Sequence, residues 1–197
     1  MADIVFEDRI AGLIDRSGLP EDVRVLVDRY PRESWDNGNP VGDLGRFWIE
    51  RHNAFRNIGA ALVDSIVQLR EEKVTAGQFA GWFGPRLSHF LGDLHGHHQI
   101  EDFQYFPLFA AADRRLAKGF DLLEGDHHII HAALERNANA GQSFYDALVQ
   151  GRADLPYARD AYAAEAELLL KGLMRHLDDE EDLIIPLLME QGEDRFY

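Results

Sequence analysis

The sequence contains no cysteine, which excludes disulfide bonds, thiolate metal sites and cysteine nucleophiles. Basic residues are few: 20 lysines and arginines stand against 35 aspartates and glutamates, so the formal net charge is -15. Such a surface repels phosphate backbones and anionic lipid, so neither nucleic acid nor a membrane is expected as a partner. No apolar run approaches the roughly 20 residues of a membrane-spanning helix, and the N-terminus lacks the pattern of a secretory signal. We therefore expect a soluble cytoplasmic protein.

Histidines, in contrast, are numerous and clustered. Four of the nine lie between residues 89 and 98, and three lie between residues 127 and 131. His52 and His176 each stand alone. This distribution is the most informative feature of the composition.

Apolar residues recur at helical spacing in four long stretches. The predicted helices span residues 41–73, 75–106, 119–150 and 156–185. Thr75 and Gln78 form the pattern of an N-terminal capping box. Gly84 and Pro85 interrupt the second stretch, so it is either one helix or a short helix followed by a longer one with Pro85 in its first turn. Short links between long amphipathic helices favour antiparallel neighbours. The predicted fold class is therefore all-α, an up-down antiparallel four-helix bundle over residues 41–197, preceded by a short N-terminal extension (residues 1–40) whose pattern permits a helix.

One pattern occurs twice, at residues 97–108 and at residues 176–187. Each copy begins with histidine, has a glutamate four residues later followed by a second acid, and ends with two apolar residues, proline and leucine. Residues four apart project to the same side of a helix. His97 with Glu101, and His176 with Glu180, can thus each offer one imidazole nitrogen and one carboxylate to a common cation.

The remaining candidate ligands lie on the other two helices. His127 and His131 are four residues apart on the third helix, and His52 is midway along the first. Imidazole mixed with carboxylate suits iron, manganese or zinc rather than calcium or magnesium. Five imidazoles and two carboxylates exceed what one ion needs, so a two-metal centre is predicted. Its seven candidate ligands are His52, His97, Glu101, His127, His131, His176 and Glu180.

This order of residues resembles the hemerythrin family, including its HHE cation-binding relatives. The family pattern is a lone histidine, a His-x-x-x-Glu, a His-x-x-x-His and a histidine followed shortly by a carboxylate, one on each helix. The resemblance covers residues 41–190 and implies an oxo- or hydroxo-bridged pair of iron ions, for which zinc or manganese could substitute. It further implies that one iron takes His127, His131 and His176. The other takes His52 and His97 and keeps an open position, and the bridges are Glu101 and Glu180.

The chain departs from the oxygen-carrying hemerythrins at one position. They place an aspartate five residues after the last histidine, where this chain has Glu181. Glu180, at four residues, returns to nearly the same helical angle and is therefore the predicted ligand. Asp102 and Glu181 are expected either to face solvent or to orient ligand imidazoles. The histidines left outside the predicted ligand set are His89, His95, His98 and His128.

The resemblance favours a protein that binds or senses oxygen, nitric oxide or peroxide at the open iron position. The alternatives are a di-iron oxidoreductase (a peroxidase, ferroxidase or oxidase) and a protein for iron storage or iron-centre repair. No general acid–base pair is visible apart from the metal ligands, so no catalytic residue is predicted. A protein partner or a homo-oligomer stays open.

Overall fold

The computed structural model describes residues 2–35 and 41–196, and over these ranges it contains helices and no strand. The helices are α1 (Ala2–Ile14), α2 (Asp43–Arg70), α3 (Ala76–Ile100), α4 (Phe106–Ala112), α5 (Ala117–Val149) and α6 (Leu155–Gln191). A π-helical turn, Glu101–Tyr105, joins α3 to α4. Among the helices described, none is both long enough and apolar enough to cross a membrane.

The four long helices form a closed ring of neighbours. α3 packs against α2 and α5, and α6 packs against the same two helices on the opposite side. Short turns join α2 to α3 and α5 to α6, as expected for antiparallel neighbours. The predicted all-α bundle is confirmed.

The start of α3 follows the predicted capping box. The Thr75 hydroxyl accepts a hydrogen bond from the backbone N–H of Gln78, and the Gln78 side chain accepts one from the backbone N–H of Thr75. The helix then runs through Pro85 without a break. Phe83 and Leu87 on either side of the proline are both buried, so packing holds the helix where the local sequence left a break open.

The interior consists of two apolar clusters with a polar layer between them. One cluster contains Phe55, Leu94, Ile130 and Leu173, and the other contains Trp48, Phe106, Leu123 and Leu183. α2, α5 and α6 each cross from one cluster to the other, and α3 makes the same crossing through the π-helical turn into α4, whose Phe106 and Phe109 belong to the second cluster. At that crossing each helix carries a histidine that was predicted as a ligand, so the layer between the clusters is where the candidate ligands meet.

The N-terminal segment (residues 2–35) lies against the outside of the ring. α1 packs on α5 and α6 through Ile10 and Leu13, which are 1% and 2% exposed. Further along, Val23 and Leu26 are buried in the second apolar cluster. The division of the chain into an extension (1–40) and a bundle (41–197) stays a prediction.

Candidate metal centre

The polar layer contains two groups of potential metal ligands. The three-histidine group consists of His98, His127 and His176. The mixed group consists of His52, His97, Glu101 and Glu180. Within each group, one ligand atom of every residue lies within 4.8 Å of those of the others. The fold thus brings together six of the seven residues predicted from the sequence, from α2, α3, α5, α6 and the π-helical turn.

The two glutamates link the groups. Oε1 of Glu101 lies 2.9 Å from Nε2 of His97, while its Oε2 lies 3.6 Å from Nε2 of His127. Oε1 of Glu180 lies 3.6 Å from Nε2 of His52, while its Oε2 lies 3.2 Å from Nε2 of His176. Each carboxylate therefore turns one oxygen to each group, which is how a carboxylate bridges two ions.

His131 is the predicted ligand that the structure does not bring to either group. Its side chain is 49% exposed, its Nε2 lies 3.6 Å from Oε1 of Glu135, and its ring stacks on that of His95. The residue four positions before it, His127, is buried in the three-histidine group. Beyond His127 the buried face of α5 continues through Ile130 and Leu134, so His131 lies on the exposed side of the helix.

His98 stands in the place expected for His131. Its ring lies 4.0 Å from that of His127, centroid to centroid. Adjacent residues on a helix point about 100° apart, and α3 has a neighbour on each side, α2 and α5. His97 is directed to one and His98 to the other. The angle of about 100° from His97 was the reason for leaving His98 outside the predicted ligand set. Because helices surround the site on all sides, the same angle directs His98 into the three-histidine group.

The polar atoms of this layer fit a bound cation. Among the described residues, Nε2 of His52, His97 and His98, both oxygens of Glu101 and Oε2 of Glu180 are buried without a hydrogen-bond partner. The 2.9 Å contact between His97 and Glu101 brings two of these atoms close without forming a hydrogen bond. Leaving so many polar atoms buried and unpaired costs several kcal/mol. Metal ions would give all of them a partner, and the imidazole and carboxylate donors suit iron, manganese or zinc.

Three of the histidines are held by an acid on the side away from the layer. Nδ1 of His127 lies 2.6 Å from Asp102, Nδ1 of His52 lies 3.0 Å from Glu181, and Nδ1 of His176 lies 3.5 Å from Asp126. An acid at Nδ1 fixes the tautomer that leaves the Nε2 lone pair free for a metal. Asp102 and Glu181 therefore stand where orienting acids were expected.

Burial and neighbouring charges shift the pKa values of the titratable groups in this layer, some upward and some downward. Burial lowers the pKa of His97 to about 3 and holds the pKa of His98 well below its usual range. Burial also opposes the charged form of His176, but Asp126 and Glu180 outweigh it and raise its pKa to about 9. Burial together with the Glu180 charge raises the pKa of Glu101. Burial disfavours the charged form of Glu180 too, but His52 and His176 lower its pKa well below the usual range.

A cavity of about 240 Å³ opens beside the mixed group. His97 and Glu101 line it together with aromatic side chains, among them Trp48 and Tyr105. The indole N–H of Trp48 donates a 2.6 Å hydrogen bond to Glu180, which fixes that carboxylate from the cavity side. The cavity gives a small molecule a route to the mixed group.

Several residues around the site were not predicted from the sequence. Asp126 precedes His127 in the chain, and Arg16 and Arg32 lie more than 100 residues from the acids that they contact. For Asp126 the only signal was its place beside a candidate ligand. For the two arginines there was none, because local spacing carries no information on such distant contacts.

The comparison with protein families agrees with this geometry. The family model described as the hemerythrin HHE cation binding domain matches residues 43–188. Searches of the curated proteins and of the solved structures each gave no match. The family match spans most of the chain, from the start of α2 almost to the end of α6. The chain therefore belongs to the hemerythrin family of HHE cation-binding domains and is a helical cation-binding protein.

Proposed function

We propose that this protein is a non-haem di-iron protein that binds or senses oxygen, nitric oxide or peroxide at an open iron position. The observation that carries the proposal is the pair of glutamates, each with one oxygen toward either group. Two bridging carboxylates require two ions. Iron is the metal that the family resemblance implies, and zinc or manganese can substitute with the same donors.

In the proposed centre, His98, His127 and His176 hold one ion, and His52 and His97 hold the other. Glu101 and Glu180 belong to both. With both carboxylates counted, the first ion has five protein donors and the second has four. The ion of the mixed group is thus the one with room for an external ligand, and it is the one beside the cavity.

Bound iron would supply a redox-active Lewis acid at this open position. The chain's own residues then have separate tasks. Asp102, Asp126 and Glu181 orient imidazoles, and Trp48 holds Glu180 in place. The two apolar clusters above and below the layer keep bulk water away from it, which strengthens every electrostatic interaction inside.

The test is metal content combined with ligand binding. Protein loaded with ferrous iron should hold two irons per chain and develop a visible absorption that changes when nitric oxide or air is admitted. Glu180→Gln should lower both the iron content and the absorption, whereas His128→Ala, which alters an exposed histidine, should change neither. A colourless protein that stays free of iron after reconstitution would contradict the proposal.

A second candidate function is a di-iron oxidoreductase. The cavity favours it, because about 240 Å³ is several times the roughly 30 Å³ of one water and admits more than a diatomic molecule. Steady consumption of peroxide or of ferrous iron by the iron-loaded protein would support this candidate. Binding of the small molecule in a fixed ratio to iron, without turnover, would support the binding or sensing function instead.

A further inference from the structure

Two arginines of the N-terminal segment contact the acids that support the candidate ligands. The guanidinium of Arg16 donates to both oxygens of Asp126, at 3.0 and 2.5 Å, and to Asp179 at 2.7 Å. Only 16% of the Arg16 side chain is exposed. It enters between α5 and α6, directly after the apolar contact that α1 makes through Ile10 and Leu13.

Arg16 is joined to the three-histidine group by one residue. Asp126, its partner, lies 3.5 Å from Nδ1 of His176. Asp179 has a second cationic partner in Arg175, whereas Asp126 forms its ion pairs with Arg16 and His176. Loss of the Arg16 charge would leave Asp126 as a buried carboxylate held mainly by the long contact to His176, which is an expensive state.

Arg32 makes the corresponding connection to the mixed group. Its guanidinium donates to Glu181 at 2.8 Å, to Asp182 at 2.6 Å and to the backbone carbonyl of Asp178 at 2.7 Å. Glu181 in turn lies 3.0 Å from Nδ1 of His52. Arg56 of α2 also donates to Glu181, at 2.7 Å, so Arg32 shares this carboxylate with a second arginine. The N-terminal segment is thus connected to His176 of the three-histidine group through Asp126, and to His52 of the mixed group through Glu181.

We propose that the N-terminal segment positions the metal centre, with Arg16 and Arg32 as positioning residues that set the orientation of His176 and His52. This inference rests on the proposed function, since it concerns the affinity of the same two ions. Coupling between two binding events is reciprocal. Docking of the segment therefore tightens metal binding, and bound metal holds the segment in place.

The close fit of α1 supports a specific docking rather than a loose cover. A Cβ added at Gly172 would lie 2.8 Å from Cδ1 of Ile10, so α6 carries a glycine where α1 approaches it. The apolar contact fixes α1 along α6. That in turn places Arg16, two residues beyond the end of α1, at the level of Asp126 and Asp179.

The first experiment measures cobalt or iron affinity by competition with a chelator. Arg16→Met and Arg32→Met keep much of the apolar stem and remove the charge. Arg16→Met should weaken metal binding by up to about tenfold, the lower end of the effect of losing a ligand's own hydrogen-bond partner. Arg32→Met should weaken it less, because Arg56 still pairs with Glu181. The cobalt absorption spectrum should shift in both, and Arg16→Lys should restore part of the affinity. Arg29→Met is the matched control, because Arg29 lies in the same segment but pairs with Glu190 at an exposed position.

The second experiment tests the reverse direction on the unmodified protein. Trypsin can cleave after Arg24, whose side chain is 48% exposed, and cleavage should be slower with metal bound than without it. Equal cleavage rates, or Met variants that bind metal as the wild type does, would overturn the link while leaving the proposed function intact. Wild-type protein that takes up no metal would overturn both. Because the cleavage assay needs no substitution, a variant that fails to fold does not remove the test.

Discussion

His97 and His98 are neighbours in the chain, yet their imidazoles belong to different groups. The ring of His97 lies 5.4 Å from that of His52, and the ring of His98 lies 4.0 Å from that of His127. This is what an angle of about 100° between adjacent residues produces when the helix has a partner on either side. Two consecutive side chains thereby supply one nitrogen to each proposed ion.

The exchange of His131 for His98 leads to the first prediction. His98→Ala should remove one proposed donor of the three-histidine group and lower iron content below that of the wild type, because a buried candidate ligand is lost. His131→Ala should leave iron content unchanged, since its side chain is 49% exposed and outside both groups. Elemental analysis of the reconstituted proteins is the measurement.

His95→Ala serves as the control for that pair, because its ring stacks on His131 outside the layer. A loss of iron in His131→Ala with none in His98→Ala would restore the ligand set that the family resemblance implies.

Among the helices, α3 shows most clearly how local and tertiary effects combine. Its first turn is determined locally, by the reciprocal hydrogen bonds of Thr75 and Gln78. Its passage through Pro85 and its end at the π-helical turn (Glu101–Tyr105) are not determined locally. Glu101, the first residue of that turn, is 1% exposed and belongs to the mixed group, so the irregular turn lies where the site needs a side chain.

The cap of α3 gives the second prediction. Thr75→Ala should lower the free energy of unfolding by about 1 kcal/mol, because the backbone N–H of Gln78 loses its side-chain acceptor. Urea unfolding of the metal-free protein measures this change. Thr75→Ser keeps the hydroxyl and should retain most of the stability; a serine variant as unstable as the alanine variant would show that the cap hydrogen bond is not the cause.

For the whole molecule, the buried histidines set the response of the metal-free protein to acid. Burial lowers the pKa of His97, His98 and His127, so they stay neutral in the folded state at a pH where unfolded histidines, with a pKa of about 6.5, take up protons. The unfolded state then binds more protons, and stability falls as the pH falls. Glu101, whose pKa is raised, acts in the opposite sense, but one carboxyl opposes three imidazoles.

The third prediction follows from that balance. Between pH of about 6.5 and about 5, the urea midpoint of the metal-free protein should decrease, because the unfolded state takes up more protons than the folded state. His52 and His176 act in the opposite sense, because their raised pKa keeps them protonated in the folded state while unfolded histidines are about half protonated at pH 6.5. Their contribution is the smaller one, because that difference in bound protons vanishes as the pH falls to about 5. A midpoint that stays constant or rises would contradict these charge states, and replacing His97 and His98 together by glutamine should flatten the dependence.

The sequence by itself determined the four long helices and most of the candidate ligands. Helical periodicity and the repeat at residues 97–108 and 176–187 are local, so spacing along one helix was enough to find His97 with Glu101 and His176 with Glu180. Six of the seven predicted residues meet in one layer, and four of those six come from this repeat.

Only the tertiary structure decided which neighbour faces inward and what supports it. Whether His98 or His131 reaches the layer depends on where α3 and α5 sit in the ring, which no spacing on a single helix specifies. Arg16 and Arg32 meet their acids across more than 100 residues of chain. A charge on the surface and a charge in a buried ion pair look alike in sequence, because what distinguishes them is the packing of other helices around them.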